Sequence, residues 1–271
     1  MCRLAVALEG PADLATRYSE QVRAGLVVPA DEARRYGRLA DDALARAGIL
    51  WDQPQYLLVV DRDPWVQAVF LLWRTEPGGS VLVGASPAST GLGGSFDHFE
   101  TPLGVFEHSL ANPDYRAAGT LNRNGIRGYG ARGMRVFDFG WQRAPKGWGD
   151  GAVSDMRLQL HATDPDLLER RLGTAQSKGC IRIPAALNRF LDRFGVLDAD
   201  YEQAARDRSA PEAGKLWVLD PQREPVAGAG RYLVVVESGR SERPDWSPAP
   251  ALSHRRPAAP APAPTPRPAG Q

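Results

Sequence analysis

The chain is expected to be a mainly β protein, a sandwich or barrel with short helices. Short runs rich in β-branched and aromatic residues recur from Tyr56 onward, separated by turn-forming residues. Long glycine-rich loops connect them, and helical periodicity is confined to an N-terminal stretch and two later segments. That pattern suits packed sheets better than a parallel α/β sheet. With 271 residues, 43% of them hydrophobic, the chain can bury a sizeable core.

The elements follow in order. Residues 31–47 form an amphipathic helix whose stripe is Tyr36, Leu39, Ala40, Ala43, Leu44 and Ala47. Asp31 after Pro29 is the expected N-cap, and Gly48 the stop. A fainter helical stretch covers 12–25, and together the two make residues 1–54 a helical lead-in. Strands are expected at 56–60, 66–72 and 81–86, divided by "DRDP" and "EPGG" turns. The alternating runs 134–139 and 156–161 read as half-buried strands. Glycine-rich loops fill 90–104, 122–133 and 144–151. Helices are expected from Asp164 and Pro165 to Gly173, and from Pro184 to Gly195 with Leu187, Phe190, Leu191 and Phe194 inward. Strands at 215–219 and 231–236, within 206–240, complete or flank the core. From 241 to 271 the chain is a Pro/Ala-rich tail, expected to be disordered or polyproline-like.

Composition removes several classes of function. Lys+Arg 33 against Asp+Glu 32 leaves no basic excess of the kind a nucleic-acid binder shows. No run approaches eighteen apolar residues, so no transmembrane segment is expected. Two cysteines and four histidines show no metal-ligand spacing, so neither a metal nor an organic cofactor is expected. A Cys2–Cys180 bridge would tie the terminus to an ordered turn. "TGLGG" lacks the strand-to-helix context of a phosphate loop. The start "MCRLAVALEG" is too short for an export signal, which leaves a cytosolic protein or a start that has lost part of its leader.

Cys180 follows Gly179 at the mouth of an Ile-Arg-Ile strand in "AQSKGCIRIP". A free cysteine here either packs as a small hydrophobe or serves as a nucleophile. His161 ends the strand 156–161, with eighteen residues between it and Cys180. If the two sit at the same end of neighbouring strands, about 5 Å apart, the imidazole can act as a base or cation and yield a thiolate near neutral pH. Gly179 removes a side chain beside the sulfur, and the N–H groups of Gly179 and Cys180 could donate to an oxyanion. The alternative is that His161 and Cys180 are unrelated buried residues.

The run His161-Ala162…Ser177-Lys178-Gly179-Cys180-Ile181-Arg182 resembles the signature of the L,D-transpeptidase (YkuD-like) catalytic domain. "STG" at 89–91 and "TPLGVF" at 101–106 resemble an upstream segment of that family, so the resemblance covers about 55–205. It implies a mainly β catalytic domain that attacks peptidoglycan stem peptides between the L-centre of the third residue and D-Ala. A cysteine thioester forms, D-Ala leaves, and an amine acceptor, typically of a second stem, takes the acyl group. Carried over, Cys180 is the nucleophile, His161 the base and later acid, and Gly179 with Cys180 the oxyanion pocket. Ser177 and Lys178 belong to the turn, while Arg182, Ala162, Thr101 and His98 line the substrate side. The family's histidine before Gly-Cys is Lys178 here, and the glycine after its upstream histidine is Ala162. Lys178 cannot share a proton near pH 7 but can stabilise a thiolate as a cation. The Ala162 carbonyl remains as an orienting partner for His161. The resemblance further implies acylation by carbapenems and a working place in the periplasm or on the outer cell surface, hence a native start upstream of Met1. Alternatives are hydrolysis of the same bond by an L,D-carboxypeptidase or cysteine peptidase, and a catalytically silent wall-binding module.

Other candidates have two readings each. His98 and His108 flank the Thr101-Pro102 turn, as cleft lining or as surface loop residues. Arg127, Arg132 and Arg135, around "GYGARG", either meet stem-peptide carboxylates or belong to a solvated loop. Trp141 and Trp148 are assigned to a loop, as lid, sugar platform or buried structure.

Overall fold

The computed structural model of the chain describes residues 10–50, 53–207 and 211–249. Cys2 and residues 250–271 of the expected tail lie outside them. Two helices lead: α1 (Pro11–Gln21) and α2 (Ala30–Arg46). Then come β1 (Gln55–Asp61), β2 (Ala68–Arg74), β3 (Ser80–Pro87), β4 (Gly104–Glu107), β5 (Tyr115–Arg116), β6 (Arg135–Pro145), β7 (Val153–Ala162) and β8 (Ile181–Ile183). Helices α3 (Ala185–Phe194) and α4 (Ala199–Arg206) precede β9 (Tyr232–Val236). The strands form two sheets, β3-β2-β1-β9-β4 and β5-β6-β7-β8, rather than a closed barrel.

One core lies between the sheets. Tyr56, Leu58 and Val60 of β1 and Leu233 and Val235 of β9 join Phe137 and Phe139 of β6, Leu158 and Leu160 of β7, and Ile181 and Ile183 of β8. Leu187, Phe190, Leu191 and Phe194 of α3 complete it, as does α1 through Leu14 and Tyr18. The opposite face of the five-stranded sheet is covered by α2, whose Tyr36, Ala40, Ala43 and Leu44 pack on Leu57, Val59, Phe70 and Val234. Burial on both faces explains why β1 is a continuous apolar run instead of an alternating one. On the outer face of β7 the polar residues Arg157, Gln159 and His161 alternate with the inward Leu158 and Leu160.

Several expectations require correction. The run 215–219 is not a strand: residues 215–218 end a 3-10 helix, Pro211–Val218, with Trp217 exposed. The helix expected at 164–173 shrinks to a 3-10 turn, Glu169–Arg171. Asp164 Oδ1 does cap the N–H groups of Asp166 and Leu167 and one α-type bond follows (Leu168 to Asp164), but the bonds after it are i→i+3 (Arg171 to Leu168, Leu172 to Glu169), so no α-helix propagates. Asp31 is not the cap of α2; Pro29 holds that place without a side-chain bond. Trp141 lies in β6, not in a loop, and is 66% exposed. Part of the expected disordered tail is packed: Ser247 is buried and Trp246 stands edge-on to Tyr36 and Phe70. Among the described residues no helix is long and apolar enough to cross a membrane.

Candidate active site

Strands β7 and β8 pair in parallel, with Leu160 opposite Ile181 and His161 opposite Arg182. Continuing the register puts Cys180 beside Gln159, one side-chain step short of His161. Strand spacing and rise then set the Cα atoms of His161 and Cys180 roughly 8 Å apart. The turn and 3-10 segment between them do the returning that a longer helix was expected to do.

His161 is only 4% exposed. Its Nδ1 donates to the Ala162 carbonyl at 2.8 Å, leaving Nε2 as the acceptor, and the Tyr129 ring packs on it at 4.6 Å. Burial pushes its pKa down to about 4, with the Ala162 bond opposing and Arg182 adding to the fall. Ala162 therefore supplies the orienting carbonyl that the sequence suggested.

Cys180 is half-buried. Its sulfur occupies the next rung of the β7–β8 ladder, donating to the Arg157 carbonyl at 3.5 Å. Burial pushes the thiol pKa up, against a hydrogen bond from the Gln159 backbone and the charge of Arg182. The expected hydrogen-bonded thiolate–imidazolium pair is thus absent: both groups rest neutral at pH 7, and the sulfur faces a carbonyl.

The turn before the sulfur is tied down from several sides. Ser177 Oγ accepts the Gly179 N–H at 3.0 Å and donates to the Cys180 carbonyl. The Gly179 donor expected to face an oxyanion is thereby turned into the turn itself. Gly179 has φ +129°, and a Cβ there would meet Met156 Sδ at 2.7 Å, so only glycine fits. Thr101 does not line the substrate side: it is fully buried, its Oγ1 accepting from Gly91 N–H and donating to the Gly179 carbonyl at 2.7 Å. It clamps the 91–101 loop onto the turn.

Lys178 does not approach the sulfur as a cation but pairs with Asp97 at 2.8 Å on the surface. His98 sits in the loop with Nδ1 against the Leu92 carbonyl at 3.2 Å. Arg182 is half-buried beside His161; its guanidinium donates to the Gln176 carbonyl at 3.4 Å, and burial lowers its pKa against the pull of Cys180.

His108 is neither cleft lining nor surface, but fully buried against Asp114 and the Leu197 carbonyl. Arg135 is equally buried, bonded to Asp114 and to both oxygens of Asp198. Arg127 pairs with Asp166. Trp148 packs edge-on against Phe96 and Phe99.

Sequence reasoning missed two contributors. Tyr129 covers His161 from the very loop that was read for its arginines. Asp138, buried on β6, accepts from Arg157 Nε and Gln159 Nε2, both at 2.8 Å. The polar positions 157, 159 and 161 alternate with Leu158 and Leu160, a signal already present in "MRLQLH".

No family model matches the chain, and no curated protein matches it.

Proposed function

We propose that this protein is a cysteine acyl-transferase of the L,D-transpeptidase kind, acting on peptidoglycan stem peptides with Cys180 as nucleophile and His161 as base. The observation that carries this reading is the parallel β7–β8 pairing, which sets an Nδ1-protonated, neutral imidazole one step from a half-buried thiol beside a cationic Arg182. The two-sheet sandwich and the joint order His161, Ser177, Gly179, Cys180 support it further.

The chemistry starts from a neutral pair. As Sγ bonds to the carbonyl carbon of the third stem residue, its proton passes to His161 Nε2. The bond to the D-Ala nitrogen then breaks, and His161 returns the proton to that amine as it leaves. An acceptor amine attacks the thioester and gives its proton to His161, which passes it to the departing sulfur. Water in place of the amine gives hydrolysis. The working place is the periplasm or outer cell surface, where such stems are found.

Incubation with a purified disaccharide-tetrapeptide tests the proposal. Free D-Ala and a product of mass corresponding to a crosslinked dimer are expected, both lost in Cys180→Ala; D-Ala release undiminished in that variant overturns it. A carbapenem is expected to add one adduct mass, located on Cys180.

A further inference from the structure

Arg157 and Trp141 form an exposed, fixed pair next to the sulfur that the reaction above leaves unused. Arg157 lies two residues along β7 from Gln159, the residue beside Cys180, which is roughly 7 Å of strand. Its Nε is held by Asp138 Oδ2 at 2.8 Å, and its side chain is 38% exposed. Asp138 is itself immobilised: Oδ1 accepts the Gly140 N–H and Oδ2 also accepts Gln159 Nε2. Across the strands, the Trp141 ring lies 6.0 Å from the guanidinium carbon.

That geometry depends on a bulge. Between Asp138 and Trp141 the register slips, so three residue steps on β6 face two on β7. The extra residue turns Trp141 onto the same face as Arg157 instead of into the core. A guanidinium anchored through Nε, backed by an aromatic face and 38% exposed, suits bidentate capture of a carboxylate.

We propose that Arg157, oriented by Asp138 and floored by Trp141, is the subsite that binds a carboxylate of the donor stem peptide; the inference rests on the function proposed above. The donor offers that chemistry from two sources. One is the terminal carboxylate of the leaving D-Ala, and the other is the side-chain carboxylate of a diaminodicarboxylic third residue.

Three donors distinguish them: the unmodified tetrapeptide, one amidated at the terminal D-Ala, and one amidated on the third-residue side chain. D-Ala or D-alaninamide release is followed for the wild type, Arg157→Gln and Cys180→Ala. The wild type is expected to lose about tenfold to a hundredfold in kcat/KM on one amidated donor, which names the source. Arg157→Gln is expected to lose the same factor on the unmodified donor and to show no further loss on that amidated one. Alkylation of Cys180 by iodoacetamide, which has no carboxylate, is expected to match the wild type and reports an intact site. If Arg157→Gln discriminates among donors as the wild type does while Cys180→Ala is silent, the subsite alone is wrong. If the wild type releases nothing from any donor, or Cys180→Ala releases as much, the proposed function fails and takes the subsite with it.

Discussion

The Nδ1 proton of His161 is fixed on the Ala162 carbonyl, so in the proposed reaction the proton leaving Cys180 goes to Nε2. Burial keeps that nitrogen unprotonated down to about pH 4, and burial also keeps the sulfur protonated through neutrality. The rate should therefore rise through about pH 4 and stay level across the neutral range, as a pH profile of kcat/KM will read. Alkylation of Cys180 by iodoacetamide should still be climbing at about pH 9, above the ordinary thiol range. A plateau already reached at pH 6 would mean a preformed thiolate and contradict this picture. The Tyr129 ring packs on the imidazole at 4.6 Å, although Tyr129 is itself 41% exposed. In Tyr129→Ala the acid limb is expected to move up by about one unit, toward the unperturbed histidine value near 6.5. A limb that stays put assigns the drying to other neighbours.

The bulge in β6 is the element on which the face beside Cys180 depends. Gly140 within it has φ +75°, and an added Cβ would meet the Asn112 side chain at 2.7 Å. Gly140→Ala is expected to lower stability by about 1–2 kcal/mol, seen in thermal unfolding, and to erase the donor discrimination assigned to Arg157. How far such elements could be read beforehand follows from how local their causes are. Helix α3 was legible because Pro184 and the left-handed Gly195 mark its two ends and its apolar stripe does the rest. Polar alternation exposed β7, and with it His161, while Ser-Lys-Gly-Cys marked the turn. The bulge left no such trace, since Gly140 looks like any glycine until its partner strand supplies the register. The 215–219 run misled because five mostly apolar residues carry no period, and its packing on Leu110 and Tyr201 is a long-range matter. Thr101 was read toward the substrate because its bond to the Gly179 carbonyl spans 78 positions of chain.

Around the site, the molecule is held by a buried charge cluster: His108, Asp114, Arg135 and Asp198 are all sealed from water. Burial works against the His108 imidazolium, but Asp114 and Asp198 outweigh it, so its pKa is raised. The stability it contributes is full below the unfolded value near 6.5 and is lost as pH climbs through the folded one. His108→Gln should accordingly cost more at pH 5.5 than at pH 9 in denaturant titrations. His161 has the opposite sign. The unfolded chain takes up the proton first, so stability falls by up to about 3 kcal/mol as pH drops from about 6.5 to about 4, and His161→Gln should flatten that decline. Arg135→Leu strands Asp114 and Asp198 without their cation and should cost about 3–5 kcal/mol; a variant as stable as the parent would show that the carboxylates find other partners.

Strand β9 sits between β1 and β4, pairing with the first in parallel and the second antiparallel. Vectorial synthesis on a ribosome delivers β1 some 170 residues before the strand that must lie against it. Until then a nascent chain shows two unpaired backbone edges flanked by Val59 and Phe106, the kind of template that invites intermolecular pairing. Holding that interval open safely is a task for whatever shields the emerging polypeptide, and the core that joins β1 and β9 to β7 and β8 is complete only after it closes.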